Sequence, residues 1–114
     1  MHELSLAENI VDIVRQNLPA EQSGAVSVKV RVGEMAGVVP DSLAFCFEAI
    51  TAGTPLEGIR MVIERVPLRE KCRTCGEERV LPQPLFLCPA CGGSDLLILS
   101  GRELEVSEIE VEDP

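Results

Sequence analysis

Four cysteines in two matched pairs constrain this chain more than any other feature. Cys72-Arg73-Thr74-Cys75-Gly76 and Cys88-Pro89-Ala90-Cys91-Gly92 have the same spacing, with twelve residues between them, Gly76 to Leu87. Two intervening residues let both sulfurs of a pair turn toward one ion, and the glycine that follows tolerates a tight backbone. Paired spacing of this kind in a chain without a secretory start points to a metal rather than to disulfides. Four thiolates in tetrahedral array suit Zn2+. Iron held in rubredoxin-like knuckles is the main competitor, and it usually comes with aromatic shielding that is nearly absent here. With all four positions filled by sulfur, no place remains for water or substrate, so the expected zinc is structural. Arg69, Lys71, Arg73 and Arg79 are candidates to offset the thiolate charge, with Phe86 as an apolar anchor for the excursion between the knuckles.

Around this module the pattern is that of one small α+β domain. The steps of three and four among Leu6, Ala7, Ile10, Val11, Ile13, Val14 and Leu18 predict a helix over 4–18, stopped by Pro19, with a loop at Gln22-Ser23-Gly24. Val26, Val28, Val30 and Val32 alternate with polar residues, which predicts a strand over 25–34. A second helix starts at Pro40-Asp41-Ser42, capped by Asp41 or Ser42, carries Leu43, Cys46, Phe47 and Ile50 on one face, and ends at Gly53. A strand follows over 59–67. Residues 96–112 are strand-like again, with a parity switch that a bulge near Ser107 reconciles. The expected fold is therefore a small mixed sheet with two helices on one face and an inserted four-cysteine, zinc-ribbon-like module. The domain boundaries that follow are 1–67, completed by a C-terminal strand at 99–114, and 68–98 for the metal module. The module has too few apolar residues to hold itself together, so it needs the metal as a staple.

Charge and composition exclude several function classes. The formal net charge is −9, and four thiolates with one zinc ion take it to about −11. Such a surface repels phosphate backbones, so nucleic acid is not an expected partner. Basic proteins or cations are. No apolar run reaches the roughly 20 residues that span a bilayer, and the start lacks a signal-peptide pattern, so the expected location is the cytoplasm. A catalytic triad is impossible with one histidine, and no phosphate loop exists, so no enzyme is expected. Cys46 lies on a helical apolar stripe and reads as core.

The one histidine is His2. The Met1 amine, the His2 amide and the His2 imidazole form a planar nitrogen set, completed by the Glu3 amide, a carboxylate or water. Planar nitrogen donors favour Ni2+ or Cu2+, and binding that deprotonates amides weakens as pH falls.

These features occur together with Met1-His2-Glu3-Leu4-Ser5, Val32-Gly33-Glu34, Gly37-Val38, Pro40-Asp41-Ser42-Leu43, Gly53-Thr54, Leu56-Glu57-Gly58 and Gly101-Arg102-Glu103-Leu104. In that order, across essentially the whole chain, they resemble the HypA/HybF family of hydrogenase-maturation nickel metallochaperones. The resemblance implies a nickel site at His2 with Glu3 adjacent, a separate structural zinc domain, and delivery of Ni2+ to the [NiFe]-hydrogenase large subunit with a GTPase partner. It also implies a contribution from the acidic residue at Asp41, where many relatives carry Glu. Some relatives have histidines beside the zinc cysteines; this chain has none. The alternative is a zinc-ribbon protein-interaction module that does not handle nickel.

Overall fold

In the computed structural model, residues 3–18 and 25–111 are described. The element order is α1 (Glu3–Asn17), β1 (Ala25–Gly33), α2 (Pro40–Thr51), β2 (Arg60–Val66), β3 (Leu68–Cys72), β4 (Glu78–Leu81), β5 (Leu96–Ser100) and β6 (Leu104–Val111). The expected stop at Pro19 and the loop at Gln22-Ser23-Gly24 lie outside the described residues.

Each element follows from its apolar spacing. Leu6, Ala7, Ile10, Val11 and Val14 are all buried along one stripe of α1. On α2 the buried set is Leu43, Phe47 and Thr51, one turn apart, and the two helices pack together. Phe47 is 1 % exposed, and burying a side chain of that size is worth about 1.5–3 kcal/mol. Cys46 and Ile50 flank this stripe half-buried instead of sharing its centre. The expected side-chain cap of α2 is not formed. Val39 occupies the cap position in extended conformation, because Pro40 takes the first helical turn, where its missing N–H costs nothing. Asp41 therefore sits inside the first turn, where its charge complements the helix dipole.

Two three-stranded sheets result, ordered β2-β1-β6 and β4-β3-β5. Val28 and Val30 on β1 are buried to 1 % exposure or less and form the sheet's contribution to the core that the helices cover. The opposite face of the first sheet is polar. Lys29 and Arg31 both reach Glu64, Arg31 also pairs with Glu105 at 2.9 Å, and the Ser27 hydroxyl donates to Glu110. Ser27 opposite Glu110 and Arg31 opposite Glu105 make β6 antiparallel to β1. The Glu34 amide donates to the Val66 carbonyl where both β1 and β2 end, so those strands run parallel, with α2 in the crossover that a parallel pair needs. The first sheet is mixed. Along β6 the alternation of half-buried and exposed positions slips at Ser107 and Glu108, which are both exposed, where the sequence parity switches. The second sheet is antiparallel throughout, with Leu68 facing Leu81 and Cys72 facing Leu96.

The contacts divide into two compact units. One takes the chain up to Arg31, Gly37–Glu64 and the chain from Glu105; the other takes Val32–Ala36 and Arg65–Leu104. The second unit buries Leu68 completely, with Val66, Cys72 and Cys88. The expected anchor, Phe86, is 87 % exposed, because the aliphatic side chains at the root of β3 already fill the small core.

Within this second unit the backbones at Gly33 and Gly101 cross at close range. The Gly33 amide donates to Glu103 and the Met35 amide to Gly101, at 2.7 and 2.6 Å. A Cβ at Gly33 would overlap the Gly101 carbonyl and lie 2.7 Å from the Arg102 nitrogen, so only glycine fits there.

Candidate metal centre

The two knuckles have one backbone plan, used twice. The Gly76 amide donates to the Cys72 carbonyl and the Gly92 amide to the Cys88 carbonyl, both at 2.7 Å. Each first cysteine then donates its own amide five residues on, Cys72 to Glu77 and Cys88 to Gly93. The reversal needs a left-handed residue after the second cysteine, and Gly76 and Gly92 have φ of 80° and 74°. β3 delivers Cys72 at its end, which ties the first knuckle to the sheet.

All four sulfurs lie within 4.8 Å of one another. Cys72 and Cys91 are separated by 3.6 Å, Cys75 and Cys88 by 3.7 Å, and no disulfide joins them. A tetrahedron with metal–sulfur bonds of about 2.3 Å has edges of about 3.8 Å. The chain has thus arranged a four-cysteine metal-binding site. Cys72 and Cys88 are buried, while Cys75 and Cys91 are at the surface.

The electrostatics of the site call for a cation. The Cys88 thiol is pulled down to about 6, first by a hydrogen bond from Arg79 and then by the Cys91 amide. Cys72 is lowered mainly by the Cys75 amide, helped by that of Thr74. The other two resist ionisation. The largest influence on Cys91, the Gly93 amide, favours its thiolate, but the Cys72 sulfur, desolvation and the remaining sulfurs outweigh it and push it to about 12. Cys75 is likewise raised despite the Glu77 amide, through desolvation and the Cys72 and Cys88 sulfurs. Cys88 and Cys72 are thus biased toward the thiolate and Cys91 and Cys75 away from it, and a divalent ion would balance the charge of all four.

Of the four basic residues singled out from sequence, Arg79 reaches a sulfur. Its guanidinium donates to Cys88 Sγ at 3.4 Å and also holds Glu77 at 3.2 Å. Arg69 is paired with Glu78 and Arg73 with Asp95. The Gly93 amide, which the sequence reading missed, donates to Cys91 Sγ.

Met1 and His2 lie outside the described residues. Glu3 opens α1, and the Ser42 hydroxyl donates to its carboxylate at 3.5 Å, so the starts of α1 and α2 meet. Asp41 is the neighbour of Ser42 and is exposed; no hydrogen bond joins it to Glu3 among the described residues.

A family model described as "Hydrogenase/urease nickel incorporation, metallochaperone, hypA" matches residues 1–111. This chain belongs to the HypA family. A hydrogenase maturation factor HypA from Streptomyces avermitilis is 49% identical across 99% of this chain and 88% of its own length. One from Geobacter metallireducens is 45% identical across 98% of this chain and all of its own. Among solved structures, the solution structure of the Ni metallochaperone HypA from Helicobacter pylori matches with a TM-score of 0.65 at 19% identity, covering 97% of each chain. A second HypA solution structure reaches 0.68 at 18% identity, so the HypA fold is shared well beyond the level of sequence likeness. Among the described residues no helix is long and apolar enough to cross a membrane.

Proposed function

We propose that this chain carries Ni2+ at its amino terminus and hands it to the [NiFe]-hydrogenase large subunit, working with a maturation GTPase. The observation that carries the reading is His2, the only histidine of the chain, one residue before α1 in a member of a nickel-incorporation family. The Met1 amine, the His2 amide and the His2 imidazole are the proposed donors, with Glu3 adjacent and Asp41 as a further acidic contributor. The contact between Ser42 and Glu3 supports this by drawing the start of α2 to the residue after His2. Several donors on a terminus can be exchanged one at a time with an acceptor, which suits transfer rather than storage.

The four-sulfur site we assign to zinc in a structural role. Support comes from the filled tetrahedral donor set and from the exposure of Phe86, which leaves the sulfurs without the aromatic cover an iron centre uses. The carrier is thus not an enzyme, and its reduced cysteine pairs suit the cytoplasm.

The test is nickel titration of the untagged, zinc-loaded protein beside His2→Ala. The variant should lose specific Ni2+ binding and keep its fold and one zinc per chain. Equal nickel affinity in the two proteins would remove the amino-terminal site.

A further inference from the structure

The chain has three aromatic residues, all phenylalanine, and two of them are in water. Phe47 is buried, but Phe45 on the same helix is 72 % exposed. The inner stripe of α2 is complete without Phe45, so the fold gains nothing by placing an aromatic there. Its outward face also carries Asp41, Glu48 and Ala52, all exposed. Beside Glu48 a cleft of about 550 Å3 opens between α2 and the start of β2, lined by Ala44, Glu48, Thr51, Glu57, Ile59 and Arg60 among others. The result is an apolar crest flanked by the Asp41 and Glu48 carboxylates, with an adjoining cleft whose charged lining is Glu48, Glu57 and the single cation Arg60.

Charge selects the occupant. α2 contains no basic residue, and among the described residues neither Asp41 nor Glu48 has an ion-pair partner. The unit that contains α2 holds thirteen acidic and four basic residues, which accounts for the whole formal charge of −9; the zinc unit has six of each and is neutral. A second copy of this chain would set like charge against like charge on this face. A solvent-exposed aromatic between two carboxylates without an ion-pair partner among the described residues is instead complementary to an apolar side chain flanked by Lys or Arg.

We infer that the outer face of α2, centred on Phe45 and bounded by Asp41 and Glu48, docks a basic amphipathic segment of a partner protein. The inference rests on the nickel-carrier reading for its purpose. Because the Ser42 hydroxyl at the start of α2 reaches the Glu3 carboxylate at 3.5 Å, a partner seated on α2 is brought toward the residue that follows His2, and docking would align the metal-bearing terminus with its acceptor.

The experiment uses the full-length, untagged, zinc-loaded protein without nickel, as wild type, Phe45→Ala, Glu48→Lys and, on the zinc unit, Phe86→Ala. The probes are the purified maturation GTPase and the hydrogenase large-subunit precursor of the same organism, titrated calorimetrically at low and physiological salt. For at least one probe, Phe45→Ala and Glu48→Lys should each raise Kd tenfold or more, Phe86→Ala less than twofold, and added salt should weaken wild-type binding severalfold. Circular dichroism should confirm that the variants are folded, since the altered side chains are exposed. Wild-type Kd in both α2 variants would overturn the inference. So would no binding of either probe, or self-association that depends on Phe45 in sedimentation velocity. Nickel titration of the same variants separates the two readings. Retained nickel affinity with lost docking supports this inference, while a wild-type chain that docks but takes no nickel refutes the carrier reading alone.

Discussion

Among the described glycines, Gly33 is the one whose replacement by alanine should do the most damage. The added Cβ would overlap the Gly101 carbonyl and sit 2.7 Å from the Arg102 nitrogen. Both obstacles are backbone, so no side chain can swing aside. Relief requires the two strands to part, and the hydrogen bonds that flank the crossing, Gly33 to Glu103 and Met35 to Gly101, are lost or stretched. Two such bonds are worth about 2 kcal/mol net, and the residual overpacking adds about 1–3 kcal/mol. The stiffer unfolded chain returns up to about 1 kcal/mol. The net loss is about 3 kcal/mol, which for a domain of this size lowers Tm by about 12 °C. The control is Gly37→Ala. Gly37 has φ of 73° but no atom within 4 Å of its would-be Cβ, so the change costs only the left-handed penalty of about 1 kcal/mol and about 4 °C. With no Trp or Tyr in the chain, calorimetry on the zinc-loaded proteins is the appropriate assay. If Gly33→Ala melts no lower than Gly37→Ala, the crossing is not the close-packed node described above.

Two further outcomes concern the metal site. Arg79→Met removes the donor to Cys88 Sγ, whose thiol is otherwise held near 6. A depressed thiol contributes stability that is fully present above its ordinary value of 9 and is lost as pH falls to about 6; without Arg79 the lower edge of that window rises toward 9. Zinc release on acidification, followed with a chromophoric chelator, should therefore begin at higher pH in the variant, and an unchanged midpoint would remove Arg79 from the site. Stripping the zinc with a strong chelator should abolish protection of the amides of β3, β4 and β5 in hydrogen exchange while the helical signal at 222 nm persists at 25 °C. Undiminished protection would mean that the module stands without its metal.

What could be read from sequence was local. Two knuckles of matched spacing specify their own backbone, down to the positive φ of Gly76 and Gly92. The stripe on α1 and the alternation on β1 give their elements to within about one residue, and even the parity switch at Ser107 is visible in the pattern. The misreadings share a cause in competition between neighbours or between distant segments. Pro40 outcompetes Asp41 and Ser42 for the helix start, which moves the cap to Val39. Phe86 looks like the natural anchor for a core-poor module, yet Leu68, at the root of β3 and fully buried, takes that place. The crossing of Gly33 and Gly101 leaves no periodic trace, since two glycines far apart in the chain say nothing singly about meeting. Of four candidate cations near the cysteines, only the fold distinguishes Arg79, because Arg69 and Arg73 are drawn off by carboxylates across their own strands and turns. Phe45 was invisible for a different reason: hydrophobic character predicts burial, and an aromatic kept for a partner violates that rule by design.

The metal module, β3 to β5 of the second unit, begins after Pro67 and ends at Ser100, and the Ser100 hydroxyl donates to the Pro67 carbonyl at 2.7 Å. Its way in and way out are therefore side by side. To the sheet β2-β1-β6, residues 67–103 are simply the loop that must close before β6 can pair with β1. Unfolded, that loop has about 37 residues; folded around its metal, it closes like a turn of about 4. The difference in closure entropy is about 2 kcal/mol at room temperature. A metal whose four ligands all belong to the second unit thus lowers the closure cost of the sheet β2-β1-β6, and its removal should lower the melting temperature of the unit that holds the two helices.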